Sequence, residues 1–361
     1  MKVVYLLNGT ALCGGVKVVY QHVAILRRLG VDAEVVSTTP PSDWAPESWS
    51  FYRQVPDLTP EAIGPADVAV GTMYHTVPQA MAVPGARAFH FCQAYEAIYE
   101  PARPLWPEIE EVYRLPATKL VVSPHLAGLV KELYGQEAVH IPQPFDADAF
   151  SPRSGARPQD GTFRVLLTGQ WSVPFKGIPW ATEALRALKG EIPRLRLVRM
   201  SQDAPPEEVA AWPEAERHIW VPPAFVPDVY RNVDLFVGPS TEVEGFGLPT
   251  IEAMSCGLPS VLTDIGAFRG IDPDARASIR IPVFDAAALQ AAVRRLADDS
   301  GLCARLGSEG RRIARTYNAG RTGEALLAAF GAPAAVAGAG LRRTARRAVR
   351  AVVSLGRRGD G

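Results

Sequence analysis

Two carboxylates, Glu244 and Glu252, stand on either side of a turn that carries Gly245 and Gly247. The short apolar run Leu235 to Val237 before them suits a buried strand, and a short helix begins at Pro249 and stops at Gly257. Strand, glycine turn and helix opening bring unpaired backbone N–H groups and the positive end of a helix dipole to one spot, which suits a phosphate. A carboxylate beside a phosphate repels it unless the acid points at hydroxyl groups instead. Hydroxyls of a ribose and of a hexose meet that need. Lys176 poses the converse problem, because it opens another predicted helix and there opposes the dipole. An anion held between ammonium and helix removes the conflict.

The elements that must position these groups read as α/β. Lys2 to Leu7 is a strand, and Asn8 to Gly15 is a glycine-bearing loop. Val18, Val19, His22, Val23, Leu26 and Leu29 then recur at helical spacing up to Gly30, and Val31 to Val36 returns as a strand. That βαβ unit opens a parallel sheet. Further strands are expected at Asp67–Val70, Ala86–Phe91, Leu120–Ser123 and Val139–Pro142, with a helix over Pro124–Tyr134. The stretch from Pro142 to Pro158 is rich in proline, and Ser154 to Gly161 reads as a linker. The logic repeats beyond it: strand Phe163–Thr168, loop Gly169–Gly177, helix Ile178–Leu188, then strands at Leu195–Arg199, His218–Val221, Leu235–Val237 and Ser260–Thr263. Two Rossmann-like, doubly wound parallel-sheet domains are expected, over residues 1–153 and 160–314, with a helix at about 315–330 crossing back to complete the first. Loops after the strands lie on the ligand side of such sheets. His75, His90, Gln93, Tyr95 and Glu96 are therefore the first domain's polar groups placed to meet a ligand, although His75 alone reads more readily as a structural histidine.

Bulk properties narrow the classes. The 361 residues are 47% hydrophobic and 21% charged, an ordinary globular composition. The first apolar run is too short for a signal peptide, no stretch is long enough to span a membrane, and four scattered cysteines suit a reducing cytoplasm. Gly9 and the Gly14-Gly15 pair are wrongly spaced for a dinucleotide fingerprint, which disfavours a nicotinamide cofactor. Asp272-Pro273-Asp274 matches a metal-binding Asp-x-Asp by spacing but sits in a proline-bounded turn, so no metal site is assigned. Residues 332–361 hold seven arginines against Asp360, a net charge of +6, leaving 31 basic and 37 acidic residues elsewhere. Leu341, Ala345, Ala348, Val349, Val352 and Leu355 would share one helical face there, which reads either as a helix for an anionic membrane surface or as an unfolded basic tail. The acidic body carries no nucleic-acid motif, so nucleic acid is not an expected partner.

The motif Glu244-Gly245-Phe246-Gly247-Leu248-Pro249, followed by Glu252-Ala253-Met254 and Gly257-Leu258-Pro259, resembles the glutamate-seven-residues-glutamate signature of glycosyltransferase family 4. Members are retaining, nucleotide-sugar-dependent enzymes of the GT-B fold, whose two domains face each other across a cleft. The resemblance implies that Glu252 binds the ribose, Glu244 orients the transferred sugar, and Lys176 with the amides of Phe246, Gly247 and Leu248 stabilises the leaving diphosphate. No cofactor or metal is then required. It also places Gly14-Gly15 near the diphosphate and acceptor, unless that pair is only a tight turn, and puts the backbone at Val221 against the base. Gln170 stands where the family often has an arginine, which removes one positive charge. A histidine near the equivalent of the Ala86–Phe91 strand end touches the donor sugar in many members, a place that either His90 or Gln93 could inherit. Gln93-Ala94-Tyr95-Glu96 resembles the bacterial polysaccharide rhamnosyltransferase branch, which implies dTDP-rhamnose, with UDP- or GDP-hexose left open. The expected partners are a nucleotide-sugar donor, a glycan or lipid-linked acceptor, and an anionic leaflet on the cytoplasmic side. A nucleotide-sugar 2-epimerase and a silent nucleotide-sugar-binding protein remain alternatives.

Overall fold

The computed structural model describes residues 1–153 and 160–331, and the basic tail at 332–361 lies outside them. The described residues divide into two units, Met1–Asp146 joined by residues 317–331, and Ala147–Thr316.

The first unit is one parallel sheet of β1 (Lys2–Leu7), β2 (Asp32–Ser37), β3 (Tyr52–Gln54), β4 (Val68–Gly71), β5 (Arg87–Cys92), β6 (Thr118–Val121) and β7 (Ala138–His140). Their order is β3-β2-β1-β4-β5-β6-β7. β1 is covered on both faces, which is why it reads as a continuous apolar run and not as an alternation. Helix Gly14–Arg28 leads from β1 to β2 and buries Val18, Val19, Val23 and Leu26. Helix Ala319–Ala329 packs on it at Gly323, where a Cβ would come within 2.7 Å of Leu29 Cδ1. Thr322 Oγ1 donates to the Pro142 carbonyl at 2.8 Å, and the Arg87 guanidinium donates to that of Phe330.

The second unit is again all parallel: β8 (Phe163–Thr168), β9 (Leu195–Ser201), β10 (Glu216–Ile219), β11 (Leu235–Gly238), β12 (Ser260–Thr263) and β13 (Ser278–Ile281), in the order β10-β9-β8-β11-β12-β13. Its core joins Val165, Leu167, Leu197 and Val237 of the sheet to Ile178, Leu185 and Val293 of the covering helices. In this sheet the order of strands reverses between β8 and β11, the position at whose carboxyl ends open parallel sheets bind their ligands.

The expected two Rossmann-like domains are present, with local differences. The sequence reading lacks β3 and β13, both edge strands. An edge tolerates polar residues on its open side, so Arg53, Gln54 and Arg280 break the apolar pattern that marks interior strands. β6 begins at Thr118 and takes in Lys119, which is fully buried. Its ammonium donates to the Leu115 carbonyl at 2.6 Å, and burial pulls its pKa down to about 8. The division between units falls at 146/147 instead of 153. Residues 147–153 pack on the second unit: the Arg231 guanidinium donates to the Ala149 and Ser151 carbonyls, and the Phe150 ring lies 5.9 Å from that of Tyr230. Among the described residues, no helix is long and apolar enough to cross a membrane.

Helix Ser300–Ala314 crosses the end of helix Leu248–Ser255 closely enough that a Cβ on Gly307 would fall 2.1 Å from the Gly257 carbonyl oxygen. Alanine is the better helix former by about 1 kcal/mol, yet the overlap is with backbone and has no flexible side chain to yield. Gly307→Ala is therefore expected to lower stability, by about 1–3 kcal/mol. Chemical denaturation of parent and variant checks the sign.

Candidate active site

The loops after β8 and β11 are held against each other. Gly177 ends the first with φ +66°, and a Cβ on it would lie 2.1 Å from the Pro239 carbonyl oxygen in the second. The Thr241 amide donates to the Phe175 carbonyl at 2.8 Å. This contact delivers Lys176 and Glu244 to one place: Nζ lies 2.7 Å from Oε2, with both side chains mostly buried. Ser240 Oγ donates to the same carboxylate oxygen at 3.0 Å, and the ammonium lies 4.9 Å from the centroid of the Phe175 ring. The stem of Lys176 rests on Gly169, whose carbonyl accepts a 2.7 Å bond from Arg199 Nη2. Arg199 is itself fully buried and paired with Glu208 at 2.9 Å.

Helix Leu248–Ser255 opens on this turn. Of the two turn glycines only Gly247 takes a positive φ, +90°, and a Cβ on it would strike the Phe268 ring at 2.5 Å. No side chain caps the helix opening, and Pro249 stands in its first turn. Glu252 follows within the helix, 9% exposed, accepting a 2.8 Å bond at Oε2 from the hydroxyl of Tyr230. Burial, and then the carboxylate beside it, push the Tyr230 phenol well above its usual pKa, so it stays a donor at neutral pH. Gln170 is half-buried in the loop after β8. Val221 follows Trp220, an exposed residue at φ +53°, and lines a 440 Å³ recess with Arg164, Glu216, His218 and Phe225.

Asp272 serves its own turn. Its carboxylate accepts from the amides of Arg276 and Ala277 and from Ser278 Oγ, and is 1% exposed. Among the described residues, no group of three His, Cys, Asp or Glu is placed to hold a metal ion.

In the first unit the expected ligand-side groups separate. His90 is a correction: it is fully buried within β5, its ring 4.7 Å from that of Tyr113, and neither ring nitrogen has a hydrogen-bond partner. Burial, with Lys119 nearby, lowers its pKa to about 3, so it is neutral and offers no surface to a donor. The reason is topological: β5 is flanked by β4 and β6, and His90 points into the layer beneath. Gln93 is half-exposed and donates to the Gly15 carbonyl at 3.2 Å, while Gly14 and Gly15 form the first turn of their helix. Tyr95 is buried with its hydroxyl 2.6 Å from that of Tyr134. Glu96 accepts a 2.6 Å bond from Tyr113, and burial raises its pKa. His75 lies edge-on to Tyr74, and burial lowers its pKa. The groups that the sequence reading missed are Tyr230, Ser240 and Arg199. Each acts through a partner distant in sequence or through ordinary residue chemistry, so no local motif marks it.

Comparison with known proteins places this geometry. Residues 162–299 match the family model of glycosyl transferases group 1. A phosphatidyl-myo-inositol mannosyltransferase of Mycolicibacterium smegmatis is 29% identical over 177 residues, covering 47% of this chain and 46% of that protein. The chain thus spans about half the length of the curated relatives it matches. The fold is shared with a sucrose-phosphate synthase of Thermosynechococcus elongatus (TM-score 0.76, 18% identity, 92% of this chain and 100% of that one). It is shared also with Anabaena HepE in complex with UDP-glucose (TM-score 0.72, 14% identity, 92% and 100%). The two parallel-sheet Rossmann-like domains are those of GT-B glycosyltransferases.

The buried histidine makes acid sensitivity measurable. A histidine neutral in the fold and free to protonate once unfolded contributes stability that is complete above about pH 6.5 and is lost as pH falls toward 3. Between pH 7 and pH 4.5 His90 should cost roughly 2–3 kcal/mol. His90→Phe should flatten that part of the pH dependence in urea denaturation. An unchanged slope would mean that His90 is not held neutral.

Proposed function

We propose that this protein is a retaining glycosyltransferase that moves a sugar from a nucleotide-sugar donor to a glycan or lipid-linked acceptor without a metal cofactor. The observation that carries the reading is the pairing of Lys176 with Glu244, 2.7 Å apart, on the turn that opens an uncapped helix. Breaking the bond between the sugar's anomeric carbon and the diphosphate leaves the electron pair on a phosphate oxygen. Lys176 and the amides of Phe246, Gly247 and Leu248 meet that charge as it develops. Glu244 accepts from hydroxyls of the departing sugar, and Glu252, oriented by Tyr230, accepts from the ribose. The acceptor hydroxyl attacks from the face the diphosphate leaves, its proton passing to the phosphate, so configuration is retained. An ammonium and a helix opening do here what a divalent cation does elsewhere.

For the donor, Gln93-Ala94-Tyr95-Glu96 supports a deoxysugar such as rhamnose on dTDP. The name of the mycobacterial relative supports a mannosyl group and a phosphoinositide acceptor, and the HepE complex supports UDP-glucose. The seven arginines of residues 332–361 would draw the enzyme to an anionic leaflet on the cytoplasmic side, at about 1 kcal/mol each.

A thermal-shift panel of UDP, GDP, dTDP and their sugars identifies the donor before any acceptor is known. Glu252→Ala should then weaken nucleotide binding about 10- to 100-fold, the worth of hydrogen bonds to a charged group. Lys176→Ala should chiefly lower turnover, by about 100- to 1,000-fold. If both variants bind and react like the parent, the assignment is wrong.

A further inference from the structure

We infer that Glu244, as the resident counter-ion of Lys176, is a specificity-determining residue that makes the site discriminate against a bare nucleoside diphosphate relative to the same diphosphate carrying a sugar. The inference rests on the donor-site reading above and adds a selectivity to it. Both partners of the Glu244 side chain, Lys176 Nζ and Ser240 Oγ, are bonded to Oε2, and Oε1 has no partner among the described residues. The two side chains are 25% and 12% exposed, so salt and solvent screen their charges less than at an open surface.

A phosphate drawn to Lys176 must therefore come within ion-pair range of a carboxylate as well. Diphosphate oxygens only accept, so they offer Glu244 nothing in return for the repulsion. A sugar on the diphosphate changes the balance, because its hydroxyls donate, and Oε1 can take one while Oε2 keeps Lys176. The same carboxylate that holds the sugar thus penalises the diphosphate once the sugar has gone. Product leaves because its compensation has been transferred to the acceptor.

Calorimetric titration of UDP, GDP and dTDP, and of the sugar of whichever binds, into parent and Glu244→Gln tests this. Glutamine keeps the size and an acceptor for Ser240 but removes the charge. The nucleoside diphosphate should bind Glu244→Gln at least tenfold more tightly than the parent, about 1.4 kcal/mol, with no matching gain for the nucleotide sugar. The double variant Lys176→Met/Glu244→Gln should lose that gain, and Ser240→Ala, which keeps the charge, should hold the parent's ratio of the two affinities within about twofold, or roughly 0.4 kcal/mol. A diphosphate affinity unchanged or weakened in Glu244→Gln, a gain that survives loss of Lys176, or a shifted ratio in Ser240→Ala overturns the inference and leaves the donor site standing. A parent that binds none of the three nucleotides takes both down.

Discussion

The second unit depends on one tight contact: the backbone at Gly177 runs so close to the Pro239 carbonyl that no side chain fits between them. Two loops from strands far apart in sequence are fixed there, and a backbone hydrogen bond from Thr241 to Phe175 closes the join. Lys176 has a flexible stem with three rotatable donors, which in open solvent would hold no single position. Resting on Gly169 and Phe175 and facing Glu244, it has one. The chain stabilises the join from below with Arg199, whose guanidinium takes the carbonyls of Leu167 and Gly169 and the carboxylate of Glu208. A buried ion pair is weak evidence of net stability. Here its value is positional, since acceptors from β8, from the loop after it and from a helix converge on one planar donor.

The molecule also shows that perturbed ionisation does not by itself locate function. His22 and His90 carry pKa values near 3, yet both are sealed in the first unit, and their shifts report first the cost of charging a ring away from water, with Lys119 adding to it at His90. Lys176 and Glu244, at the turn before the uncapped helix, are instead partly exposed and paired with one another. Tyr230 lies between these cases. Its raised pKa keeps the hydroxyl protonated, so it can give Glu252 a hydrogen bond and leave the other carboxylate oxygen for a ligand.

Local pattern determined a good deal. The apolar runs of β1, β4, β8 and β11, the helical spacing after Gly15 and the glycine–proline punctuation at Gly247-Leu248-Pro249 specify strands, helix and turn within a few residues of chain. Two Rossmann-like domains and a phosphate-suited turn followed from them, because backbone preference and amphipathic period are properties of short segments. The edge strands β3 and β13 lacked that signal, and Lys119 concealed the start of β6, since a buried ammonium satisfied by a carbonyl one turn earlier looks polar in the sequence.

What the amino-acid order could not decide is which polar side chains meet water and which meet each other. His90 and Gln93 stand three positions apart at one strand end, but the flanking strands bury the first and leave the second half-exposed. Glu244 finds Lys176 across 68 residues, and Glu252 finds Tyr230 across 22. Such pairings exist only once the strands have taken their order in the sheet, because the distance between two side chains is set by packing and not by the number of bonds between them.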